Sequence, residues 1–192
     1  MLRSRIIRLC ALAAAFACSP LQAGAEGLWS VDPARSTVAL SASELVVAKV
    51  AGTIPVASGE IRTAGGMKPP SRVDIVLRAA GLTTRDAKRD ADLRSDRFFD
   101  VARYPQILFA SDRVVATGAQ TFTIDGQLTM HGVTRPIRFD ARTTGLRNDA
   151  SGKRRVHYDA VGSFRRSDYG MTYARGVVGN VVKLTVAIEA VD

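Results

Sequence analysis

The side chains of this 192-residue chain that could do chemistry gather in two places. Asp86, Asp90, Asp92 and Asp96 stand close enough in sequence to suggest a calcium loop. That stretch lacks the loop glycine and the terminal glutamate of a calcium-binding hand, and arginines such as Arg89 and Arg94 neutralise it. Asp86 with Arg89, and Asp90 with Arg94, instead stand one turn apart, where they can pair on a short solvated helix. The histidines are only His131 and His157. His131 precedes Gly132 at a tight turn, where a turn-stabilising hydrogen bond is expected. His157 falls on the polar phase of a strand and is expected to face solvent. No HExxH, paired CxxC, GxSxG elbow or phosphate-cradling glycine loop occurs. The reading is a protein that is not an enzyme, with no catalytic residues, no metal site and no cofactor.

The elements that must position side chains begin with Arg89–Phe109, RDADLRSDRFFDVARYPQILF. A charged helix near 84–94, capped from Thr83 or Thr84 with Asp86, gives way to Phe98 and Phe99. Two adjacent large rings cannot both face water cheaply. Pro105 denies Tyr104 the helical region and restarts the chain as a strand. The segment reads as a lid whose aromatic tip docks on something apolar.

Residues 1–25 read as a Sec-type signal peptide. Arg3, Arg5 and Arg8 precede the apolar Leu9–Ala17, and Ala23-Gly24-Ala25 supplies small residues for cleavage after Ala25. The apolar run falls short of the roughly 20 residues that span a bilayer. A lipid anchor at Cys18 is the weaker reading, because Ala15-Phe16-Ala17 lacks the leading aliphatic residue. No adjacent arginine pair marks twin-arginine export. Cleavage leaves 167 of the 192 residues, removes Cys10 and Cys18, and lowers the formal net charge from +9 to +6 as three arginines leave with no acid. A periplasmic domain of that size must be held by its core rather than by disulfides.

The domain, 26–192, reads as strands. Apolar residues alternate at Val38, Leu40, Ala42; Val73, Ile75, Leu77; Phe122, Ile124, Leu128, Met130; Ile137, Phe139, Ala141; Val156, Tyr158, Ala160, Phe164; and Val182, Leu184, Val186, Ile188. A period of two with one apolar face means antiparallel strands half-buried on a core. Turns are signalled at Ala64-Gly65-Gly66, His131-Gly132, Asn148–Gly152 and Gly179-Asn180. About eight such strands form a sandwich or a closed barrel. Small residues recur on the apolar face at Ala42, Ala79, Gly126, Ala141, Ala160 and Gly162. They either leave room for a guest or permit close strand packing and bends. Between Arg135 and Arg166, nine basic residues face only Asp140, Asp149 and Asp159. In an exported protein such a face suits an anionic membrane surface or a phosphate-bearing ligand, not a nucleic acid, or is simply solvated.

LRSDRFFD (Leu93–Asp100) followed by Tyr104-Pro105, and GQLTMHGVTRP (Gly126–Pro136), resemble the signature of the YceI family of exported lipid-binding proteins. WSVDP (Trp29–Pro33), Ser36-Thr37-Val38, FRRSDYG (Phe164–Gly170) and the closing run from Val178 to Glu189 extend the likeness over 28–191. The resemblance implies one antiparallel eight-stranded lipocalin-like barrel whose cavity binds a polyisoprenoid or similar amphiphilic lipid. The lining residues it implies, read with the alternation, are Leu40, Ile75, Phe98, Phe99, Phe109, Phe122, Ile124, Phe139, Tyr158, Phe164 and Leu184. Many relatives carry histidines where this chain has Arg35 and Glu44, so a head-group role for those histidines does not carry over. Arg35 is expected to face solvent. The expected function is a carrier of that lipid, with transient membrane contact and room for a homodimer. The alternative is an envelope stress or interaction module acting through its basic face.

Overall fold

The computed structural model describes residues 27–44, 48–63 and 67–192. The proposed leader, Cys10, Cys18 and the Ala64-Gly65-Gly66 turn lie outside the described residues. Period-two patterning produces ten strand segments: β1 (Gly27–Val31), β2 (Thr37–Glu44), β3 (Ala48–Ile54), β4 (Val56–Thr63), β5 (Arg72–Arg78), β6 (Gln106–Ala116), β7 (Thr121–Met130), β8 (Val133–Asn148), β9 (Arg154–Arg165) and β10 (Val178–Val191). Strand β7 shows why. Phe122, Ile124, Gly126, Leu128 and Met130 are buried while the residues between them are not, as the pleat requires.

All the pairings are antiparallel, in the order β1-β4-β5-β6-β7-β8-β9-β10-β2-β3, and β1 also pairs with β10. Strand β10 meets β2 through Val182–Ala187 and β1 through Ala190–Val191. On their other side β2 lies on β3, and β1 on β4. The ten segments are therefore eight staves of a closed barrel. One stave is broken by a 3-10 turn at Pro33–Arg35, and another at Pro55, which has no N–H for a ladder.

Helix α1 (Ala87–Arg94) interrupts the passage from β5 to β6. It starts later than the sequence suggests, and its cap is Asp86, which accepts from Arg89 N at 3.0 Å. Thr83 and Thr84 serve Asp90 instead. Both hydroxyls and Thr84 N donate to its carboxylate, each at 2.7 Å. Asp90 is buried, which corrects the expectation of a wholly solvated helix. Its carboxyl is held below the usual range, first by the Thr84 hydroxyl against the cost of burial. Arg94 approaches it only to 4.0 Å. Residues Thr53 and Thr83 exchange backbone hydrogen bonds, fastening this segment to β3.

One end of the barrel is held by ions. Arg155 donates to Asp32 at 2.8 Å, Asp149 at 2.9 Å and Glu189 at 2.9 Å, and Arg147 reaches Glu189 at 2.8 Å. Ordinary carboxyl pKa values are depressed throughout. Arg155 lowers that of Asp32, and the Ser151 hydroxyl and then Arg155 lower that of Asp149. At Glu189 burial opposes the shift, but Arg147 and Arg155 prevail. Arg35, half-exposed, stands 3.8 Å from both Asp32 and Glu189. It belongs to this cluster.

A carboxyl depressed in the folded state adds stability above its ordinary pKa and loses it as pH falls through the folded value. Arg155→Met leaves three carboxylates without their shared cation. The variant should melt well below the wild type at pH 7, and the gap should narrow toward about pH 3 as those groups protonate. A gap that stays constant across thermal melts in that range would show that the cluster is not what holds this end.

Candidate ligand cavity

Inward side chains of the eight staves leave two chambers along the barrel. The inner one, about 80 Å³, is lined by side chains from β2, β4 to β10 and by Pro70. It contains Ile75, Phe109, Phe122, Ile124, Phe139, Tyr158 and Leu184. The outer one, about 250 Å³, contains Leu40, Phe98, Phe99 and Phe164. All eleven residues named from the sequence thus face one chamber or the other. Others on the same phase join them, including Val38, Ile61, Leu77, Ile107 and Val186. Along β10, Val182 lines the outer chamber and Leu184 the inner one. The Leu40–Leu184 register pair stands at the junction.

The small residues divide by type. A Cβ on Gly126 would lie 2.8 Å from the Phe109 ring, and one on Gly162 would lie 2.7 Å from the Phe139 ring. Both glycines seat aromatic rings, which meet edge to face at 5.3 Å. Ala141 and Ala160 line the inner chamber, and Ala42 the outer one. Ala79 is buried in a 3-10 turn at Ala79–Gly81 and lines neither. The glycines permit packing, and the three alanines leave space.

Polarity changes along the axis. In the inner chamber the one polar side chain is Tyr158, whose hydroxyl lies beside Thr63; burial pushes its pKa up to about 12, so it stays neutral. Its ring meets Phe122 edge to face at 6.1 Å. The outer chamber is covered by Leu93, Phe98 and Phe99 from one side and by Met171, Tyr173 and Val177 from the other. Phe98 and Tyr173 meet edge to face at 5.6 Å, and Arg97 lies 4.9 Å over the Tyr173 ring.

The 171–178 loop and Arg166 are the parts that sequence reasoning missed. Arg166 belongs to the basic run assigned to the surface, yet it is 4% exposed. Its available signal was modest: Gly170 and Gly176, both at positive φ, bracket the short MTYAR segment (Met171–Arg175). The rest of the basic run is also less free than its composition suggests. Arg138, Arg142, Arg147, Arg154 and Arg155 each pair with a carboxylate.

His131 acts beyond its own hairpin. Its Nδ1 shares a hydrogen bond with Tyr169 O at 2.8 Å and its ring lies 5.3 Å from Tyr104. Gly132 has φ +72, and a Cβ there would lie 2.7 Å from the Tyr104 ring, so a larger residue at this turn is strained and would have to displace that ring. His157 is partly exposed and lies 3.3 Å from Asp159. Among the described residues no group of three or more His, Cys, Asp or Glu is placed to hold a metal.

Phe98 and Phe99 are 6% and 7% exposed, so truncation of either removes a buried ring. Phe98→Ala and Phe99→Ala should each cost about 3–5 kcal/mol in urea unfolding. Their double variant should fall short of the sum, because the rings share one chamber. Unchanged unfolding midpoints would mean that the aromatic tip does not close the outer chamber.

Comparison with known proteins places this geometry. The YceI-like domain family model matches residues 29–190. A UPF0312 protein of Enterobacter sp. strain 638 is 35% identical over 121 residues, covering 63% of this chain and 62% of the relative. The chain therefore matches somewhat under two thirds of that protein's length. Among solved structures, BcnA of Burkholderia cenocepacia shares the fold with a TM-score of 0.67 at 18% identity, over 83% of this chain and 98% of that one. A structure described as a polyisoprenoid binding domain from Saccharophagus degradans gives 0.62 at 17% identity, over 84% and 97%. With its family match spanning the barrel from Trp29 to Ala190, this chain belongs to the YceI-like domain family.

Proposed function

We propose that this protein is an exported, non-catalytic carrier that holds the apolar tail of an isoprenoid or similar amphiphilic lipid inside the barrel. The observation that carries this reading is the paired, adjoining chambers, whose inner wall offers apolar side chains almost without interruption. Such a wall has no chemistry to perform on a substrate, but it can shield one. Each methylene moved from water into it gains about 0.8 kcal/mol. The polyisoprenoid binding described for the Saccharophagus degradans domain supports the same class of cargo. Periplasmic export rests on the pattern of residues 1–25.

The chambers set a condition on loading. At about 80 and 250 Å³ they sit below or near the lower end of pockets for drug-sized ligands, roughly 300–1,000 Å³. A long tail must therefore join them by moving the Leu40 and Leu184 side chains. The interaction-module alternative draws less support, since five of the nine cations in its basic face already have carboxylate partners.

Organic extraction of gently purified protein, followed by mass spectrometry, should return a prenyl or acyl lipid in near-stoichiometric amount. Ala160→Leu places three more carbons in the inner chamber, at an overpacking cost of about 1–3 kcal/mol. It should leave the barrel folded while sharply lowering the lipid recovered. Wild-type protein that yields no lipid and takes up none from mixed prenyl and acyl vesicles would overturn the carrier reading.

A further inference from the structure

A tail needs only apolar walls, yet at the mouth two cations stand together without an acid. Arg166 spends all five N–H groups on backbone carbonyls. Nε donates to Gly179 at 3.2 Å, Nη1 to Met171 at 2.8 Å and Tyr173 at 2.7 Å, and Nη2 to Ala174 at 3.5 Å and Val178 at 3.0 Å. Those bonds shape the 171–179 loop but leave the charge uncancelled. Among the described residues no carboxylate lies within ion-pair distance of Arg166 or of Arg175. Buried arginines are ordinarily paired with an anion, because desolvating a lone charge is costly. Arg175 adds a second positive charge near enough to lower the pKa of Arg166, after burial itself.

These two arginines face an open pocket of about 580 Å³ with Ser43, Ser167 and Asn180. No carboxylate is among its lining residues. Asn180 Oδ1 accepts from Ser167 N at 3.1 Å, which leaves the amide NH₂ as a donor. Asp168 takes the Ser167 hydroxyl at 3.3 Å but does not line the pocket. Met171, Val177 and Val178, together with Arg166, line both this pocket and the outer apolar chamber. A polar, cationic compartment and a largely apolar one, whose rim also carries Arg89 and Asp92, therefore share a single wall.

We infer that this pocket takes the anionic head group, a phosphate or carboxylate, of the amphiphile whose tail enters the chambers. Arg175, Ser43 and Asn180 donate to the anion, while Arg166 supplies a fixed buried charge behind the loop. The cargo is then an acidic lipid rather than a neutral prenol. This inference rests on the carrier reading and specifies the polar end of its ligand.

Calorimetric titration of delipidated protein with farnesyl phosphate, farnesol and inorganic phosphate tests it. Farnesyl phosphate should bind about tenfold or more tightly than farnesol, as a charge-assisted hydrogen bond at a partly desolvated site allows. The difference should shrink as salt is raised. Arg175→Gln should remove most of it, whereas Lys183→Gln, an equal change of net charge on the exposed outer face of β10, should not. Equal affinities for the two prenyl ligands, or a difference that survives in Arg175→Gln, would overturn the head-group site and leave the carrier reading standing. Inorganic phosphate binding as tightly as farnesyl phosphate would reduce the pocket to an adventitious anion site and also overturn it. Failure of both prenyl ligands to bind would count against the carrier reading itself.

Discussion

Between Asp32 and Ser36 the first stave leaves β10, and the barrel must close without the ladder bonds that this break removes. Asp32 N still reaches Glu189 O at 2.8 Å, and beyond the turn Ser36 Oγ accepts from Glu189 N at 3.1 Å. A hydroxyl thus takes over where a backbone carbonyl is missing, at a buried position where an unmet N–H is expensive. The Glu189 side chain, pinned by that backbone, receives Arg147 and Arg155. The ion cluster follows from the break. It gathers the first stave, the β8–β9 turn and the strands β8, β9 and β10 at one point. Trp29, 1% exposed and covered by Arg154 at 5.1 Å, packs into the same end of the barrel.

The opposite end solves a different problem with different chemistry. There the chain must cover an apolar chamber without filling it. The cover is built from rings that meet edge to face, and from a loop threaded around one guanidinium. At the ionic end cations and acids balance in close pairs, so that end is electrostatically quiet. At the mouth, Arg166 is held by five backbone carbonyls and lies 5.9 Å over the Phe98 ring, with no carboxylate in ion-pair reach among the described residues. Dipoles solvate a charge but do not cancel it, and in a partly buried setting its field reaches further than it would in water.

Much of this was legible in the chain. Alternation assigns faces with little ambiguity because the strand period is two, so Ile75, Ile124, Phe139 and Leu184 could be placed inward from pattern alone. The aromatic pair at Phe98 and Phe99 was legible for a related reason: two rings demand a dry partner. Three features were not. Pro33 and Pro55 mark breaks, but nothing local says that the strand resumes in the same stave. Thr83 and Thr84 look like helix caps, and only the fold brings Asp90 beneath them. Arg166 follows Arg165 in a basic run and carries no partner in sequence, since its acceptors are backbone carbonyls that any residue supplies. A buried arginine held by an acid leaves a compositional trace; one held by carbonyls leaves none.

The seating of the aromatics bears on which tails fit. Phe109 and Phe139 already use the space above Gly126 and Gly162, with less than 3 Å between ring and ideal Cβ position. They cannot retreat into the sheet, and any rotation carries them into the inner chamber. The adjustable part of the wall is therefore aliphatic, at Leu40 and Leu184 and along Val186 and Ile188. Such side chains change rotamer at the cost of an off-well torsion or a staggered alternative, a small term beside the gain from burying several methylenes. A flexible, branched tail can be admitted stepwise as these residues yield. A broad rigid ring system would have to displace the seated phenylalanines at once. On the carrier reading, such walls would favour thin, flexible tails before any polar contact is made, and the charge at the mouth would act on what they admit.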